Sequence, residues 1–379
     1  MNKIFLDYNS TTPLSEDVLS AMLPYFTEKY GNPSSTHSFG QEALHAINKA
    51  RLQVSKLIGC KVDEITFTSG GTESNNLALS GIGRLNRTGK NHIITSSVEH
   101  SSIFNQCKQM EEDGFDITYL PVDKDGKISV KDLENSITEK TGLVSIILAN
   151  NETGTIQNIK EIAKIATANF IPTHTDAVQA IAKIPVSVEE LGVDLLTLSG
   201  HKIYGPKGIG ALYVTRGLHL LPLFQGGGQE KRRRSGTENV PGIVGLGKAC
   251  EIATNSLNKN IDYLSVKRDR LEQGILASIP FANINGVSAE RVPNTTNISF
   301  SGMEADTLII KLAFNGIAVS SGSACGATSR TASRTLTAMA LPARELYSSL
   351  RFSIGINTTN EEIDYTINCI KKICLKQVK

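Results

Sequence analysis

Short apolar runs alternate with amphipathic stretches of helical periodicity between residues 65 and 214. The runs lie at 65–67, 92–95, 117–120, 143–148, 195–198 and 210–214, and helical patterns such as 101–112 and 159–169 separate them. Alternation of this kind is typical of a mostly parallel sheet that carries helices on both faces. The pattern therefore predicts an α/β fold built around one large sheet.

The C-terminal third has a different pattern. Helical periodicity at 241–255 and 261–277 is followed by apolar runs at 296–300 and 350–353. A last helix is predicted from about Asn360, because Thr359 and Glu362 have the spacing of a capping box. At 379 residues the chain is too long for one small core. We predict a large domain at 13–258 and a smaller domain formed by 1–12 and 259–379.

One lysine carries most of the chemistry that the sequence suggests. Lys202 follows the apolar run 195–198 and lies in Ser-Gly-His-Lys-Ile-Tyr-Gly-Pro-Lys-Gly at 199–208. These small and hydroxyl-bearing neighbours suit an amine that condenses with a carbonyl as a Schiff base. The alternative is an ordinary solvated lysine in a glycine-rich loop. Schiff-base chemistry would implicate pyridoxal 5′-phosphate as the cofactor.

A carboxylate upstream favours that cofactor. Asp176 lies in His-Thr-Asp-Ala-Val-Gln at 174–179, after the apolar stretch 169–172 that we take to lead into a strand. Ligands of open α/β sheets bind at the carboxyl ends of strands. An aspartate there can pair with a protonated pyridine nitrogen and keep the ring a good electron sink. The alternative is an aspartate that caps a helix.

A phosphate site is predicted at 68–76, which reads Thr-Ser-Gly-Gly-Thr-Glu-Ser-Asn-Asn. The stretch lies between the apolar run 65–67 and a helix predicted over 73–85. A strand, a glycine-rich turn and a helix N-terminus together present backbone N–H groups and a positive dipole end to an anion. Tight turns use the same residues for structural reasons, so the inference depends on the combination with Asp176 and Lys202.

A thiol lies among small residues at 320–329, which read Ser-Ser-Gly-Ser-Ala-Cys-Gly-Ala-Thr-Ser. We expect a mobile surface loop there, with Cys325 exposed and available as a nucleophile where its surroundings favour the thiolate. The alternative is a buried, inert cysteine. The six cysteines lack paired C-x-x-C spacing, so we predict reduced thiols, no disulfide framework and no metal site. They lie at positions 60, 107, 250, 325, 369 and 374.

Together these motifs make the chain resemble the cysteine desulfurases of the NifS/IscS family, which are fold-type I pyridoxal phosphate enzymes related to class V aminotransferases. The matching stretches cover nearly the whole chain and lie at 5–13, 31–35, 69–76, 98–100, 150–157, 199–208, 234–237 and 350–355. The resemblance implies a large domain with a mostly parallel seven-stranded sheet flanked by helices. It also implies a smaller α+β domain that carries the Cys325 loop.

The resemblance further implies roles for individual residues. The implied catalytic residues are Lys202, which binds the cofactor covalently, His100, which stacks on its ring, and the sulfur acceptor Cys325. The implied phosphate contacts are Gly71, Thr72, Ser199 and His201, with Thr237 reaching the site of a neighbouring subunit. Asp176 is implied to face the pyridine nitrogen and Gln179 the ring oxygen. Asn151 and Arg351 are implied to bind the substrate carboxylate, for which an arginine fork is well suited.

The activity implied by the resemblance is conversion of L-cysteine to L-alanine. Lys202 moves the α-proton, and Cys325 takes the sulfur as a persulfide for an acceptor protein, either an iron–sulfur cluster scaffold or a thiolation factor. Shared sites imply a homodimer. Residues 326–336 keep the loop length of the family but depart from its composition. That departure concerns the order of the loop and the choice of acceptor, and leaves the nucleophile assignment in place.

Two other classes of function stay open at this point. One is a different enzyme with the same cofactor, such as a selenocysteine lyase or a cysteine-eliminating lyase that uses no persulfide. The other is a sulfur scaffold that turns cysteine over only with a partner. The arginines at 232–234 would suit nucleic acid, but a solvated turn fits a net charge of +2 better. Without a visible signal peptide or membrane-length apolar run, we expect a cytoplasmic protein.

Overall fold

The computed structural model of the chain describes residues 3–86, 89–321 and 332–377. Its strands are β1 Ile4–Phe5, β2 Ile65–Thr68, β3 His92–Ser96, β4 Asp116–Leu120, β5 Thr141–Ile147, β6 Thr173–Asp176, β7 Leu195–Ser199, β8 Gly210–Val214, β9 Ala282–Ile284, β10 Thr295–Phe300, β11 Ile317–Ala318 and β12 Ser349–Ser353. Its α-helices are α1 Glu16–Met22, α2 Pro24–Thr27, α3 Ser38–Ile58, α4 Gly71–Asn86, α5 Ser101–Glu112, α6 Val130–Ser136, α7 Ile159–Ala168, α8 Val188–Leu191, α9 Val240–Ser278, α10 Ala305–Phe314, α11 Arg334–Ala338, α12 Ala343–Leu346 and α13 Asn360–Gln377.

Within the described part of the chain, seven strands form one sheet in the order β2-β8-β7-β6-β5-β3-β4. The strands β3 to β7 run parallel to one another, whereas β8 is antiparallel to both of its neighbours. Every residue of β5 and β7 is buried, as expected where helices cover both faces of a parallel sheet. The predicted mostly parallel seven-stranded sheet is therefore confirmed.

No apolar run marks the strand β6. The predicted lead-in at 169–172 lies between α7 and β6, and Phe170 there is 89% exposed. The strand itself carries Thr-His-Thr-Asp, with no apolar side chain to mark it. The neighbouring strands supply hydrogen-bond partners for the two middle side chains. The ring of His174 lies 2.8 Å from Ser145 Oγ and 3.0 Å from Thr197 Oγ1, and Thr175 Oγ1 donates to the Ile146 carbonyl at 2.8 Å. The prediction that Asp176 ends a strand is confirmed.

The two helical patterns predicted at 241–255 and 261–277 form one helix, α9, which is 39 residues long. No glycine or proline interrupts residues 256–260, so the polar residues there continue the helix across a solvated turn. The predicted domain limit at 258–259 falls inside α9, and the division into two domains stays a prediction. The capping box of α13 is confirmed, because Thr359 and Glu362 exchange backbone-to-side-chain hydrogen bonds of 2.9 and 3.2 Å.

Separate clusters of buried apolar side chains lie at the two ends of α9. Its first half contributes Ile243 and Leu246 to the cluster beside the large sheet. Its second half contributes Leu271 and Ile275 to a cluster formed with β10, β12, α10 and α13. The strands β9, β10 and β12 form an antiparallel sheet in the order β12-β10-β9. In the ranges that the structure describes, no helix is both long and apolar enough to cross a membrane.

Candidate active site

Three candidate residues lie at one edge of the large sheet. Asp176 ends β6, Lys202 follows the end of β7 in a short 3-10 helix, and His100 caps α5 shortly after the end of β3. Because these strands are parallel, their carboxyl ends lie on the same edge. Burial lowers the pKa of His100, and the nearby charges of Asp176 and Lys202 act on this pKa in opposite directions.

A hydrogen-bonded chain connects Asp176 to His100. The amide nitrogen Asn75 Nδ2 donates to Asp176 Oδ2 at 2.7 Å and to Ser102 Oγ at 2.8 Å. Ser102 Oγ lies 2.8 Å from His100 Nδ1. Val178 N donates to the other carboxylate oxygen of Asp176 at 3.0 Å. The carboxylate is thus held in a fixed orientation from two sides although it is buried.

The same contacts assign the tautomer of His100. Its Nδ1 accepts from the backbone N–H of Ser102 at 3.2 Å, so this nitrogen carries no proton and the hydroxyl of Ser102 donates to it as well. The proton of the neutral ring therefore lies on Nε2. Burial lowers the pKa of His100, Asp176 raises it, and Lys202 and Arg334 lower it. A neutral aromatic ring of this kind suits stacking on a cofactor ring.

Lys202 is held by the N-terminal segment of the chain. Its Nζ donates to the backbone carbonyls of Asn9 and Ser10 at 2.5 and 2.7 Å. These two carbonyls hold the amine at the carboxyl edge of the sheet, where an amine can act as a nucleophile toward a carbonyl or as a base.

The predicted phosphate turn forms a cradle at the N-terminus of α4. Gly71 begins this helix directly after the turn that follows β2, so the predicted helix start at residue 73 was two residues late. A Cβ on Gly71 would lie 2.9 Å from Val178 Cγ2, which explains why glycine allows the helix to approach the end of β6 so closely. The first-turn N–H groups of a helix lack intrahelical acceptors and carry the positive end of its dipole.

The remaining donors around the cradle are consistent with a phosphate. Ser199 ends β7 and is buried. His201 lies two residues later. Its pKa is lowered to about 4, mainly by burial and further by the charges of Lys202 and Lys207. The residues present therefore fit pyridoxal 5′-phosphate: a helix N-terminus for the phosphate, a fixed carboxylate for the pyridine nitrogen, a neutral histidine for the ring face and a lysine for the carbonyl.

The two residues expected to bind the substrate carboxylate lie together, but the arginine is already paired. Arg351 is 3% exposed, and its Nη2 donates to Asp7 Oδ1 at 2.6 Å. Its Nη1 donates to the backbone carbonyl of Asn151 at 2.9 Å. The expectation of an arginine beside Asn151 agrees with the structure, whereas the ion pair with Asp7 was not foreseen. A substrate carboxylate would have to share this guanidinium with Asp7 or displace it.

Thr237, the residue expected to reach a neighbouring subunit, lies on the surface. It is exposed, in the loop that precedes α9. Nearby, Arg234 Nε donates to Glu73 Oε1 at 3.0 Å, and Glu73 Oε2 accepts from Ser69 N at 2.8 Å. The loop with Thr237 is therefore tied to the phosphate turn of its own chain through Arg234, and its threonine is left on the surface.

Cys325 lies outside the described residues, but the chain on either side of it is fixed at the site. On the N-terminal side, Ser320 and Arg351 exchange backbone hydrogen bonds of 2.7 and 3.3 Å. On the C-terminal side, Ser333 Oγ donates to the buried carboxylate Glu152 Oε2 at 2.6 Å. Arg334 Nη2 donates to the carbonyl of Glu99, the residue before His100, at 2.7 Å. Residues 322–331 thus connect two anchors that both border the site.

The fold and the site together define an enzyme that uses pyridoxal 5′-phosphate. The sequence pattern of the family described as Aminotransferase class-V matches residues 4–366. The chain belongs to this pyridoxal phosphate-dependent family and, within it, to the cysteine desulfurases.

Its relatives support this placement along the full length of the chain. The chain is 46% identical over 374 residues to the cysteine desulfurase IscS of Dictyoglomus turgidum (strain DSM 6724 / Z-1310), a match that covers 99% of this chain and 95% of that protein. A solved NifS-like protein superposes with a TM-score of 0.93 at 38% identity, covering 99% of this chain and all of that one. The structure of SspA in complex with cysteine superposes with a TM-score of 0.82 at 38% identity, covering 93% and 99% of the two chains.

Besides Asp7, the sequence analysis missed Asn9, Asn75, Ser102 and Lys183 as contributors to the site. Asn9 and Asn75 lie inside the motif stretches 5–13 and 69–76, yet nothing in their residue type or spacing assigns them a role. Ser102 could have been expected near His100, because a serine in the first turn of a helix commonly bonds to local backbone or cap groups. Lys183 lies four residues after Gln179, and its burial is visible only in the tertiary structure.

Acid is expected to destabilise the protein through His174, two residues before Asp176. Its ring is fully buried between Ser145 and Thr197, and burial lowers its pKa to about 3. Below the ordinary pKa the unfolded chain takes up a proton that the folded chain rejects, so stability falls as the pH falls from about 6.5. Between pH 7 and pH 5 this histidine should remove about 2 kcal/mol from the free energy of unfolding.

Urea unfolding of wild type and His174→Asn at pH 7 and pH 5 measures this effect. The variant should lose about 2 kcal/mol less than wild type between the two pH values. The exposed His45 provides the matched control, and His45→Asn should follow wild type. Equal losses in wild type and His174→Asn would contradict the assignment.

Proposed function

We propose that this protein is a cysteine desulfurase that converts L-cysteine to L-alanine and holds the released sulfur as a persulfide on Cys325. The observation that carries the proposal is the network at the carboxyl edge of the sheet, in which Asn75 and Ser102 connect Asp176 to a neutral His100 near Lys202. The names of the relatives and the cysteine bound to SspA support the substrate.

Each side chain has a defined task in this proposal. Pyridoxal phosphate, when bound, supplies an electron sink for negative charge that develops on the substrate α-carbon. Lys202 would hold it and take the α-proton, Asp176 would pair with its pyridine nitrogen, and His100 would lie on its ring. Gln179 would face the ring oxygen. The phosphate would be bound by Gly71, Thr72, Ser199 and His201.

Substrate orientation is assigned to Arg351 and Asn151. The guanidinium presents a planar fork of donors that suits a carboxylate. Because Asp7 already contacts Nη2, we propose that substrate binding repositions this ion pair. Arg351 also exchanges backbone hydrogen bonds with Ser320. A movement of the strand that carries Arg351 would therefore also move Ser320, which precedes Cys325 in the chain.

Sulfur transfer is assigned to Cys325 as a thiolate that attacks the sulfur atom of the substrate. A sulfur–sulfur bond forms while the carbon–sulfur bond of the substrate breaks. The remaining three-carbon fragment takes up protons and leaves as alanine. The balance is one cysteine and one protein thiol giving one alanine and one persulfide. The hydrogen bonds of Ser320 and Ser333 support this role, because they hold the residues before and after the segment 322–331 beside the site.

We further propose a homodimer in which Thr237 reaches the phosphate of the partner. Its support is the position of this exposed threonine on a loop joined by Arg234 and Glu73 to the phosphate turn. The sulfur acceptor is proposed to be a protein, either an iron–sulfur cluster scaffold or a thiolation factor, as the name IscS of the relative suggests. The cytoplasmic location stays a prediction from the sequence.

The purified protein, loaded with pyridoxal phosphate and given ³⁵S-labelled L-cysteine, tests the proposal. Without a reductant, we expect about one alanine per labelled sulfur retained on the protein, and continued turnover once a thiol reductant removes the sulfur. Pyruvate and ammonia in place of alanine would identify an eliminating lyase. A strong preference for selenocysteine, with no sulfur retained on the protein, would identify a selenocysteine lyase. Turnover only after a scaffold protein is added would identify a partner-dependent sulfur carrier.

A further inference from the structure

Lys183 is a second buried lysine beside the proposed site. It is 7% exposed, and its Nζ donates to two amide oxygens, Gln179 Oε1 at 2.5 Å and Asn9 Oδ1 at 3.2 Å. Burial lowers the pKa of Lys183 well below its usual value, and the charges of Lys202 and Arg351 lower it further. Burying an amine among neutral acceptors is unfavourable for folding, so a functional reason for its presence is worth testing.

The contact with Lys183 fixes the direction of the Gln179 amide. A carboxamide can rotate by half a turn and exchange its oxygen for its nitrogen, so its orientation depends on its partners. Here Lys183 donates to the oxygen, while the nitrogen Nε2 donates to the Asn9 carbonyl at 2.9 Å. One N–H of Gln179 is thereby used, and the second can be offered to an acceptor in the site.

Lys183 also acts on Lys202 through Asn9. The Asn9 carbonyl accepts from both Gln179 Nε2 and Lys202 Nζ, at 2.9 and 2.5 Å. The side chain of Asn9 is held by Lys183 and by Asn294 Nδ2, which donates to the same oxygen at 3.0 Å. Asn9 therefore accepts hydrogen bonds from both lysines, and a change in the position of Lys183 would change the position of the carbonyl that holds the amine of Lys202.

We propose that Lys183 is a positioning residue that keeps an N–H of Gln179 directed at the ring oxygen of the cofactor and holds the Asn9 carbonyl in place for Lys202. This inference rests on the proposed function, in which Gln179 faces that oxygen. A donor at the ring oxygen stabilises its negative charge and lowers the pH at which the absorbance of the bound cofactor changes.

The test is a double-mutant cycle between Lys183→Met and Gln179→Ala, read by the absorbance of the bound cofactor across a pH titration. Methionine keeps most of the volume of lysine but supplies no donor. We expect Lys183→Met to raise the pH midpoint by about one unit, the size of shift that one hydrogen bond to a charged group produces. In the Gln179→Ala background, Lys183→Met should shift the midpoint much less, because the contact with Gln179 is gone and only the indirect contact with Lys202 through Asn9 is left to change.

A purely structural role gives a different result. It would lower the urea midpoint of unfolding equally in both backgrounds and leave the absorbance titration unchanged, which overturns the inference. Lys183→Gln, which restores a donor, should return the pH midpoint to that of wild type. If Lys183→Met does not fold, Lys183→Gln alone provides the test. A pH midpoint of Lys183→Gln equal to that of Gln179→Ala would then overturn the inference. Wild type that binds no cofactor would refute the proposed function itself.

Discussion

Replacing Lys202 with alanine is expected to lower the rate of alanine formation from L-cysteine by at least about 10³-fold. The residue has two proposed tasks, covalent attachment of the cofactor and transfer of the α-proton, and alanine can perform neither. Its amine is held by the Asn9 and Ser10 carbonyls at the carboxyl edge of the sheet, where no second lysine occupies the same position in the described chain. Borohydride should fix the cofactor to wild type and fail to fix it to the variant.

Lys207 provides the matched control, because it lies in the same glycine-rich loop but is exposed. Lys207→Ala should keep wild-type activity and the borohydride-fixed cofactor. Mass spectrometry of the reduced wild-type protein should place the cofactor on the peptide that contains Lys202. A cofactor found on Lys183, or activity within tenfold of wild type in Lys202→Ala, would contradict the assignment.

Replacing Cys325 with alanine is expected to abolish labelled sulfur on the protein and reduce alanine formation to the background without enzyme. The variant should still bind the cofactor, because the proposed contacts of the cofactor do not include the thiol. None of the other five cysteines offers a comparable nucleophile. Burial raises the pKa of Cys60 and Cys107 to about 12 and that of Cys374 to about 11, and a raised pKa leaves little thiolate at neutral pH. Cys250 and Cys369 are buried as well.

Cys60→Ala is the matched control, since Cys60 is the most accessible of the described cysteines. That variant should retain both labelled sulfur and alanine formation. Peptide mapping of wild type after a single turnover should find the label on Cys325. Label on Cys60 or Cys107, or unchanged sulfur transfer in Cys325→Ala, would exclude the proposed nucleophile and favour a lyase that uses no persulfide.

The periodicity of apolar residues predicted the large sheet well, because most of its strands are buried on both faces and must be apolar along their length. It failed at β6, where Thr173, His174 and Thr175 are buried, and His174 and Thr175 form side-chain hydrogen bonds with the neighbouring strands. Hydrogen bonds of this kind depend on which strands are neighbours. A one-dimensional pattern does not contain that information.

The helices show the same limit. The boundaries of α5 and the capping box of α13 were predicted correctly, because local sequence determines helix ends through residues a few positions apart. The single helix α9 was divided in two, because its apolar face changes where it passes from one buried cluster to the other. Residues 256–260 contain no glycine or proline, so the helix continues through a polar stretch that the pattern had assigned to a break.

The α/β class, the likeness to cysteine desulfurases and the types of residue in the site can all be predicted from the order of amino acids, since motifs record which chemical groups are present. How these groups are held is visible only in the folded chain: Arg351 is paired with Asp7, His100 is neutral through Ser102, and Gln179 is oriented by Lys183. The physical reason is that hydrogen-bond partners and burial arise from segments far apart in the chain. Asp7 and Arg351, separated by 344 positions, meet only once the chain has folded.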